Sequence, residues 1–152
     1  MKMVSSTPAG SPSQPADWNE IMDKLEESAI GGFLDRFNSF NDAIVRRVEH
    51  HYCASGQQQA TLTLSSQDQQ ADTGWSNVVI VVDRVAEILF REGKSTRQIL
   101  SDGLNVAWFE GNVWCDLSPY CADPETIDEF RRSDFYISGQ VISWRVEPYR
   151  EE

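Results

Sequence analysis

The feature that most constrains the fold is a series of short apolar runs, separated by turn residues, between residues 43 and 146. In most of these runs apolar and polar residues alternate, which is the period of a half-buried β-strand. The runs cover residues 43–53, 61–64, 78–82, 85–90, 104–109, 113–117, 135–137 and 140–146. They do not alternate regularly with helices, so the pattern predicts antiparallel rather than parallel pairing.

Some of these runs, and the residues between them, indicate a specific local structure. Residues 104–109 and 113–117 flank Glu110-Gly111-Asn112, whose residue types tolerate positive φ, and this predicts a hairpin. Residues 43–53 also suit a helix, but their β-branched content favours a strand. Asp83-Arg84 interrupts the most apolar stretch of the chain and predicts a bend or bulge there.

A helix is predicted before the strands. Asp17 and Glu20 have the spacing of a capping box, and Gly31-Gly32 is typical of a helix end. Between them apolar residues recur at helical spacing, at Trp18, Ile21, Met22, Leu25 and Ala29.

A second, shorter helix is predicted at residues 124–130, with Asp123 as its cap and Pro124 in its first position. The predicted fold class is therefore α+β. An N-terminal helix packs on a curved, mainly antiparallel sheet of six to eight strands.

The domain organisation follows from composition. With 152 residues, 40% of them hydrophobic, the chain has the size and apolar content of one domain. Residues 4–16 hold four Ser, three Pro and no charge, and such a segment buries too little surface to offset the entropy of ordering. We therefore predict a flexible tail at residues 1–16 and a single globular domain at residues 17–150.

Charge limits the partners. The chain has 13 basic and 24 acidic residues, a net charge of −11, which disfavours nucleic acid and anionic membranes because both carry phosphate. Between residues 116 and 129 there are five acids and no basic residue. This segment is either a solvated acidic face or a surface for a basic protein partner. The candidate partner-binding residues are Asp42, Asp116, Asp123, Glu125, Asp128, Glu129 and Trp114.

No pattern indicates catalysis, a metal or a cofactor. The chain has no phosphate-binding glycine loop, no G-x-S-x-G elbow and no H-E-x-x-H motif. The acids of residues 116–129 lack the spacing and central glycine of a calcium loop. His51 and Cys53 share one face of the predicted strand, an arrangement that a nucleophile pair would need, but no orienting group is evident. We therefore assign no catalytic, cofactor or metal-binding residue.

Cysteine usage and hydropathy bear on the compartment. Three cysteines without a secretory signal are typical of reduced thiols, which predicts a cytoplasmic protein. A disulfide between Cys115 and Cys121 is the alternative for that pair. The chain has no run of 18 or more apolar residues, so the sequence predicts no membrane span.

Residues 37–43 read FNSFNDA. Phe40, Asp42 and Ala43 resemble the Phe-His-Asp-Ala/Ser entry motif of small bacterial immunity-protein-like families found beside polymorphic toxins, and Asn41 stands where the motif has histidine. The resemblance implies a small antiparallel β-rich cytoplasmic protein that acts by binding, with a basic protein such as a toxin as partner. A purely local role is the other interpretation, in which Asp42 turns the chain into the first strand.

Three functional hypotheses remain. The first is a non-enzymatic, acidic protein-binding module of immunity-protein type. The second is a structural or assembly subunit that forms a homodimer through an edge strand or an aromatic patch, suggested by residues 78–82 with Trp75 and Trp114 nearby. The third is a small-ligand binder or enzyme that uses His51, Cys53 or the acids of residues 116–129.

Overall fold

The computed structural model describes residues 22–91, 98–119, 121 and 123–150. In this part of the chain there are ten strands and two short α-helices. The strands are β1 (Asp23–Lys24), β2 (Ala43–Tyr52), β3 (Gln58–Gln67), β4 (Trp75–Asp83), β5 (Glu87–Phe90), β6 (Ile99–Leu100), β7 (Asn105–Phe109), β8 (Asn112–Asp116), β9 (Phe135–Gly139) and β10 (Val141–Pro148). The helices are α1 (Ile30–Arg36) and α2 (Ile127–Arg131). The predicted tail, residues 1–16, lies outside the described residues.

The strands form two antiparallel sheets. The larger has the order β1-β10-β4-β3-β2-β6 and the smaller the order β5-β9-β8-β7. The predicted antiparallel, strand-rich architecture is confirmed, but the strands divide between two sheets instead of forming one. The chain passes from the larger sheet to the smaller at Arg84, which has a φ of 53°, and this is where the sequence predicts a bend.

The hairpin predicted at residues 104–117 is confirmed as β7 and β8, with Val106 opposite Cys115. Its turn places Glu110 and Gly111 at φ values of 52° and 84°. Both values lie in the left-handed region that a tight two-residue hairpin turn requires.

One hydrophobic core joins the two sheets. Alternate residues of β4 (Val78, Ile80 and Val82) contribute from the larger sheet, and Cys115 and Ile137 contribute from the smaller. All five side chains are almost completely buried. Burial of about 100 Å² of apolar surface stabilises the fold by roughly 2.5 kcal/mol, so this shared core is the main reason that the sheets stay together.

The prediction of an N-terminal helix ending at Gly31-Gly32 is wrong where the structure describes it. Asp23–Lys24 is a strand that pairs with β10, and the N–H of Leu25 donates to the carbonyl of Ile142 at 2.9 Å. Gly31-Gly32 lies in the first turn of α1. Pairing with the edge of β10 satisfies the backbone of this segment and still buries Leu25, so tertiary contact overrides the helical spacing.

Helix α1 contributes one buried aromatic residue to the core. The ring centroid of Phe33 lies 5.0 Å from that of Trp144 in β10 and 5.4 Å from that of Phe37. Edge-to-face contacts of this kind add to the stabilisation that burial already supplies. They hold α1 against the larger sheet.

Candidate functional site

The five acids predicted to share a surface separate in the structure. Asp116 ends β8 and is fully buried. Its Oδ1 accepts a hydrogen bond from the Ser118 N–H at 3.0 Å, whereas its Oδ2 has no hydrogen-bond partner in the described part of the chain. Burial raises the pKa of the Asp116 carboxyl, and the neighbouring Ser133 hydroxyl and the Ser118 N–H offset only part of this effect. Asp116 therefore presents no side chain to a partner.

Trp114 is also buried, with only 3% of its surface exposed. Its ring centroid lies 5.8 Å from that of Tyr136 and 6.2 Å from that of Phe130 in α2. The guanidinium carbon of Arg131 lies 5.4 Å from the Trp114 ring centroid. Helix α2 thus covers Trp114, and the indole belongs to a second, smaller core on the outer face of the smaller sheet.

Glu129 has a local structural role. Helix α2 begins at Ile127 and not at Pro124, because Thr126 is its N-cap and not Asp123. The Glu129 N–H donates to Thr126 Oγ1 at 3.2 Å, and Glu129 Oε1 accepts from the Glu125 N–H at 2.9 Å. The pKa of Glu129 is lowered, first by that backbone hydrogen bond and then by one from Cys121. Its carboxylate is committed to the helix start.

Three of the predicted acids remain exposed: Asp123, Glu125 and Asp128. They lie within six residues in the segment that leads from β8 into α2. We call these three residues the acidic face. Arg131 is the one basic residue within Ile127–Arg131. Its guanidinium lies 2.6 Å from the Glu87 carboxylate, so its charge is largely compensated within the fold.

The pair Glu87 and Arg131 was not indicated by the sequence, because 44 residues separate its members. Arg131 donates from both Nε and one terminal nitrogen to the carboxylate of Glu87, and the Tyr136 hydroxyl lies 3.4 Å from the same carboxylate. The hydrogen bond from Arg131 lowers the pKa of Glu87. This contact fixes α2 over the smaller sheet.

Asp42 lies in an unusual turn. Four non-glycine residues here have positive φ, with values of 53°, 54°, 59° and 61° at Asn38, Ser39, Phe40 and Asp42. Left-handed backbone costs roughly 1 kcal/mol or more for each such residue. The turn directs Phe37 and Phe40 into the core, where both are fully buried. That burial compensates for the cost of the conformation.

Asp42 itself is exposed, and its N–H donates to the Leu100 carbonyl at 2.9 Å. The turn is held from the other side by Leu104, whose N–H donates to the Ser39 carbonyl at 3.0 Å. A Cβ added at Gly103 would clash with the Ser39 carbonyl oxygen. The residues that resemble the immunity-protein motif therefore form a tightly packed turn, and a role of Asp42 in partner binding stays a prediction.

A cleft of about 730 Å³ opens between the sheets, at the end where β2, β5 and β9 meet. Its apolar wall includes Val48, Phe90, Ile99, Leu117 and Phe135. Phe90 and Ile99 are 46% and 50% exposed, which is unusual for large apolar side chains in a folded domain. The sequence pattern did not indicate this inter-sheet cleft because its residues come from five separate segments.

The charged residues of the cleft are mostly engaged. Arg91 lies 3.3 Å from Asp134, and Arg46 donates from Nε to the Ser65 hydroxyl at 2.9 Å. The segment that carries the acidic face has its two ends, at Leu117 and at Asp134, in the wall of this cleft. The ends of this segment thus line the cleft, whereas the exposed apolar residues of the cleft, Phe90 and Ile99, belong to other segments.

His50, His51 and Cys53 lie at the exposed end of β2. His51 Nε2 is 3.2 Å from Glu49 Oε1, and His50 Nε2 is 2.8 Å from Gln58 Oε1. Cys53 is a free thiol just beyond the strand. None of the three lines the inter-sheet cleft.

The other two cysteines are free as well. Cys115 is in the core, where burial raises the pKa of its thiol to about 12, with a smaller contribution from the charge of Asp116. Cys121 is partly exposed, and its thiol donates to Glu129 Oε2 at 3.3 Å. The alternative of a disulfide between Cys115 and Cys121 is therefore not realised in this structure.

No family model matches the chain. Neither a curated protein nor a solved structure is similar to it at a significant level. Across the residues that the structure describes, no group of three or more His, Cys, Asp and Glu side chains is arranged to hold a metal ion. No helix in that part of the chain has both the length and the apolar character needed to cross a membrane.

Proposed function

We propose that this protein is a non-enzymatic, cytoplasmic binding module of immunity-protein type that captures a basic protein, as its resemblance to those families implies. The observation that carries the proposal is the acidic face, Asp123, Glu125 and Asp128, on the segment that also walls the inter-sheet cleft. Between residues 116 and 129 the sequence has no basic residue, and three of the acids there are exposed.

Electrostatics favours a basic partner. A protein with a net charge of −11 attracts a positively charged protein over long range, and a local group of exposed acids orients the encounter. Glu129 and Asp116 do not add to this attraction in the same way, since the first is committed to the helix cap and the second is buried.

Exposed apolar side chains elsewhere on the protein support a protein rather than a small cation as the ligand. Protein interfaces combine an apolar centre with a charged rim. Phe90 and Ile99 in the inter-sheet cleft offer the first, and the acidic face offers the second.

The test is charge reversal with a matched control. The triple variant Asp123→Lys, Glu125→Lys, Asp128→Lys is compared with the exposed control Glu26→Lys, Glu27→Lys, Asp72→Lys, which changes the net charge by the same amount. Full-length wild type and both variants are used to capture proteins from the organism of origin, and affinities are measured with the purified partner. We expect a basic protein that binds wild type and control alike and binds the triple variant about 100-fold more weakly.

Two results would overturn the proposal. One is that wild type captures no protein in preference to an unrelated acidic domain. The other is that the triple variant, shown by circular dichroism to be folded, binds the partner as tightly as the control does.

A further inference from the structure

The described residues cover only part of the outer edge of β2. Strand β6 pairs with Ala43 and Ile44, and the N–H of Val45 donates to the Gln98 carbonyl at 2.7 Å. Beyond that point, within the described residues, β2 pairs only with β3. A strand of this kind presents a row of unpaired backbone donors and acceptors that favours pairing with another strand.

A β-bulge limits which part of this edge can pair. The register between β2 and β3 shifts between Val45 and Arg47, so Arg46 is the extra residue. Regular pairing resumes with Arg47 opposite Thr63 and continues to Tyr52 opposite Gln58. The regular part of the edge that no described strand covers is therefore the stretch that ends at Tyr52.

On one face of this stretch an acid lies between an arginine and a histidine. Glu49 lies between Arg47 and His51, at 2.9 Å from the Arg47 guanidinium and 3.2 Å from the His51 ring. The other face carries Val48, His50 and Tyr52, and the Tyr52 side chain is 74% exposed. Such a stretch can pair with an antiparallel copy of itself, because the acid of each copy can then lie opposite a basic group of the other.

We propose that this edge pairs, antiparallel and about a two-fold axis through His50, with the same edge of a second copy of the chain. In this register Glu49 of each copy lies opposite His51 of the other, and Val48 lies opposite Tyr52. Two opposite-charge or hydrogen-bonded cross-strand pairs form, and the exposed Tyr52 ring gains an apolar neighbour. The inference goes beyond the proposed function and uses none of the acidic face.

Two neighbouring two-fold registers are disfavoured by the residues that they would bring together. An axis through Glu49 places the two Glu49 carboxylates opposite each other, which is destabilising. An axis through Val48 places His51 of the second copy opposite Val45, whose outer side already pairs with Gln98 of the same chain. Of these registers, the axis through His50 alone avoids both the like charges and the end of β6.

The decisive test is a charge exchange between two variants of the full chain. In a homodimer, Glu49→Lys removes the carboxylate from both cross-strand pairs, and His51→Glu places two carboxylates opposite each other in both. When the two variants are mixed, each heterodimer has one pair of opposite charge between the two substituted positions and one native His51–Glu49 pair. Sedimentation equilibrium measures each variant alone and the mixture, with Glu27→Lys as the control for a charge change outside the edge.

For wild type and Glu27→Lys we expect a reversible dimer at high micromolar concentration. Each edge variant alone is expected to dimerise at least ~10-fold more weakly, and the mixture should return to within about 3-fold of wild type. The proposal is wrong if wild type stays monomeric at that concentration, or if the mixture of folded variants does not recover.

A crosslink checks the register independently of the charge exchange. In a Cys53→Ser background, His50→Cys places two thiols across the axis, at a spacing that permits a disulfide, whereas Val48→Cys does not. We expect an oxidised dimer for the first variant and none above the background for the second. Equal crosslinking of both would contradict the axis through His50. Loss of dimerisation with retained partner binding would separate this inference from the proposed function.

Discussion

Asp68 and Asp116 are both almost completely buried carboxyl groups next to strand ends, yet they differ in their hydrogen-bond partners. Asp68 accepts two hydrogen bonds from Arg36, at 2.9 and 3.1 Å, and one from the Ser76 hydroxyl at 2.6 Å. Among the described residues, Asp116 has no cationic hydrogen-bond partner, and its Oδ2 has no partner of any kind. The comparison shows that burial sets the cost of a charge, and that its partners decide whether the charge is retained.

The pKa values of the two groups follow this difference. For Asp68, burial is the largest single influence and raises the pKa. Hydrogen bonds from Arg36, Ser76 and the Gln70 N–H, with the Arg36 charge, outweigh it, so the pKa is lowered. For Asp116, burial is not outweighed and the pKa is raised. Asp68 thereby joins α1 to the loop after β3, whereas Asp116 is buried at the end of β8 without a cationic partner among the described residues.

The largest effect is expected from removal of the satisfied carboxylate. Asp68→Ala leaves Arg36 and the Ser76 hydroxyl without their partner, so we expect a loss of about 3 kcal/mol in the free energy of unfolding. Chemical denaturation at pH 7 measures it. Asp72→Ala, an exposed acid of the same loop, is the control and should change stability by less than ~0.5 kcal/mol. A loss no larger than that of the control would show that the Arg36–Asp68 contact contributes little.

The second effect has the opposite sign. Asp116→Asn removes a buried, poorly satisfied negative charge without changing the size of the side chain. We expect it to raise the free energy of unfolding at pH 7 by about 1 kcal/mol. The same denaturation experiment tests this expectation, and a clear loss of stability would mean that the Asp116 carboxylate is better satisfied than its contacts indicate.

The pH dependence of these two variants sharpens the contrast. The pKa of Asp116 is raised in the fold, so the folded state binds its proton more tightly than the unfolded state does. This binding stabilises the fold fully below the unfolded value of 3.8, and the stabilisation is lost as the pH rises through the folded value. The gain from Asp116→Asn should therefore vanish near pH 3.8 and grow as the pH rises. The contribution of Asp68 is present above 3.8 and is lost as the pH falls through its lowered folded value, so the loss in Asp68→Ala should shrink in acid. Parallel curves for the two variants would contradict the assignment.

The smallest effect is expected at the exposed pair that holds α2. The side chains of Arg131 and Glu87 are 48% and 34% exposed, so solvent screens their attraction. A double-mutant cycle with Glu87→Gln and Arg131→Gln should give a coupling energy of about 0.5 kcal/mol that decreases in high salt. A coupling above ~2 kcal/mol would place this pair in the same class as Asp68.

Much of the local structure was predictable because it depends on neighbours in sequence. The hairpin at Glu110-Gly111 and the break at Asp83-Arg84 follow from turn chemistry and apolar alternation. Helix α2 was predicted three residues too early, since Pro124 suits a first helical position but the mutual hydrogen bonds of Thr126 and Glu129 cap the helix. The sequence contains both signals, and the hydrogen bonds of the Thr126 cap determine where the helix begins.

The candidate site was less predictable for a physical reason. Trp114 and Asp116 follow the same pattern as exposed residues of a hairpin. Helix α2 covers Trp114 through contacts of Phe130 and Arg131. Asp116 is buried next to Ser118 and Ser133. In the same way, the spacing around Leu25 suits a helix in isolation, and pairing with β10 makes it a strand end. In each case a long-range partner sets the environment of the residue.

By itself, the sequence determined that this chain is acidic, strand-rich and antiparallel, because alternation, turn residues and net charge are local or additive properties. Only the tertiary structure decided that the strands form two sheets, which acids are exposed, where a cleft lies, and which part of β2 no described strand covers. Burial and pairing depend on which segments meet, and those meetings are fixed by the packing of the whole core and not by any single segment.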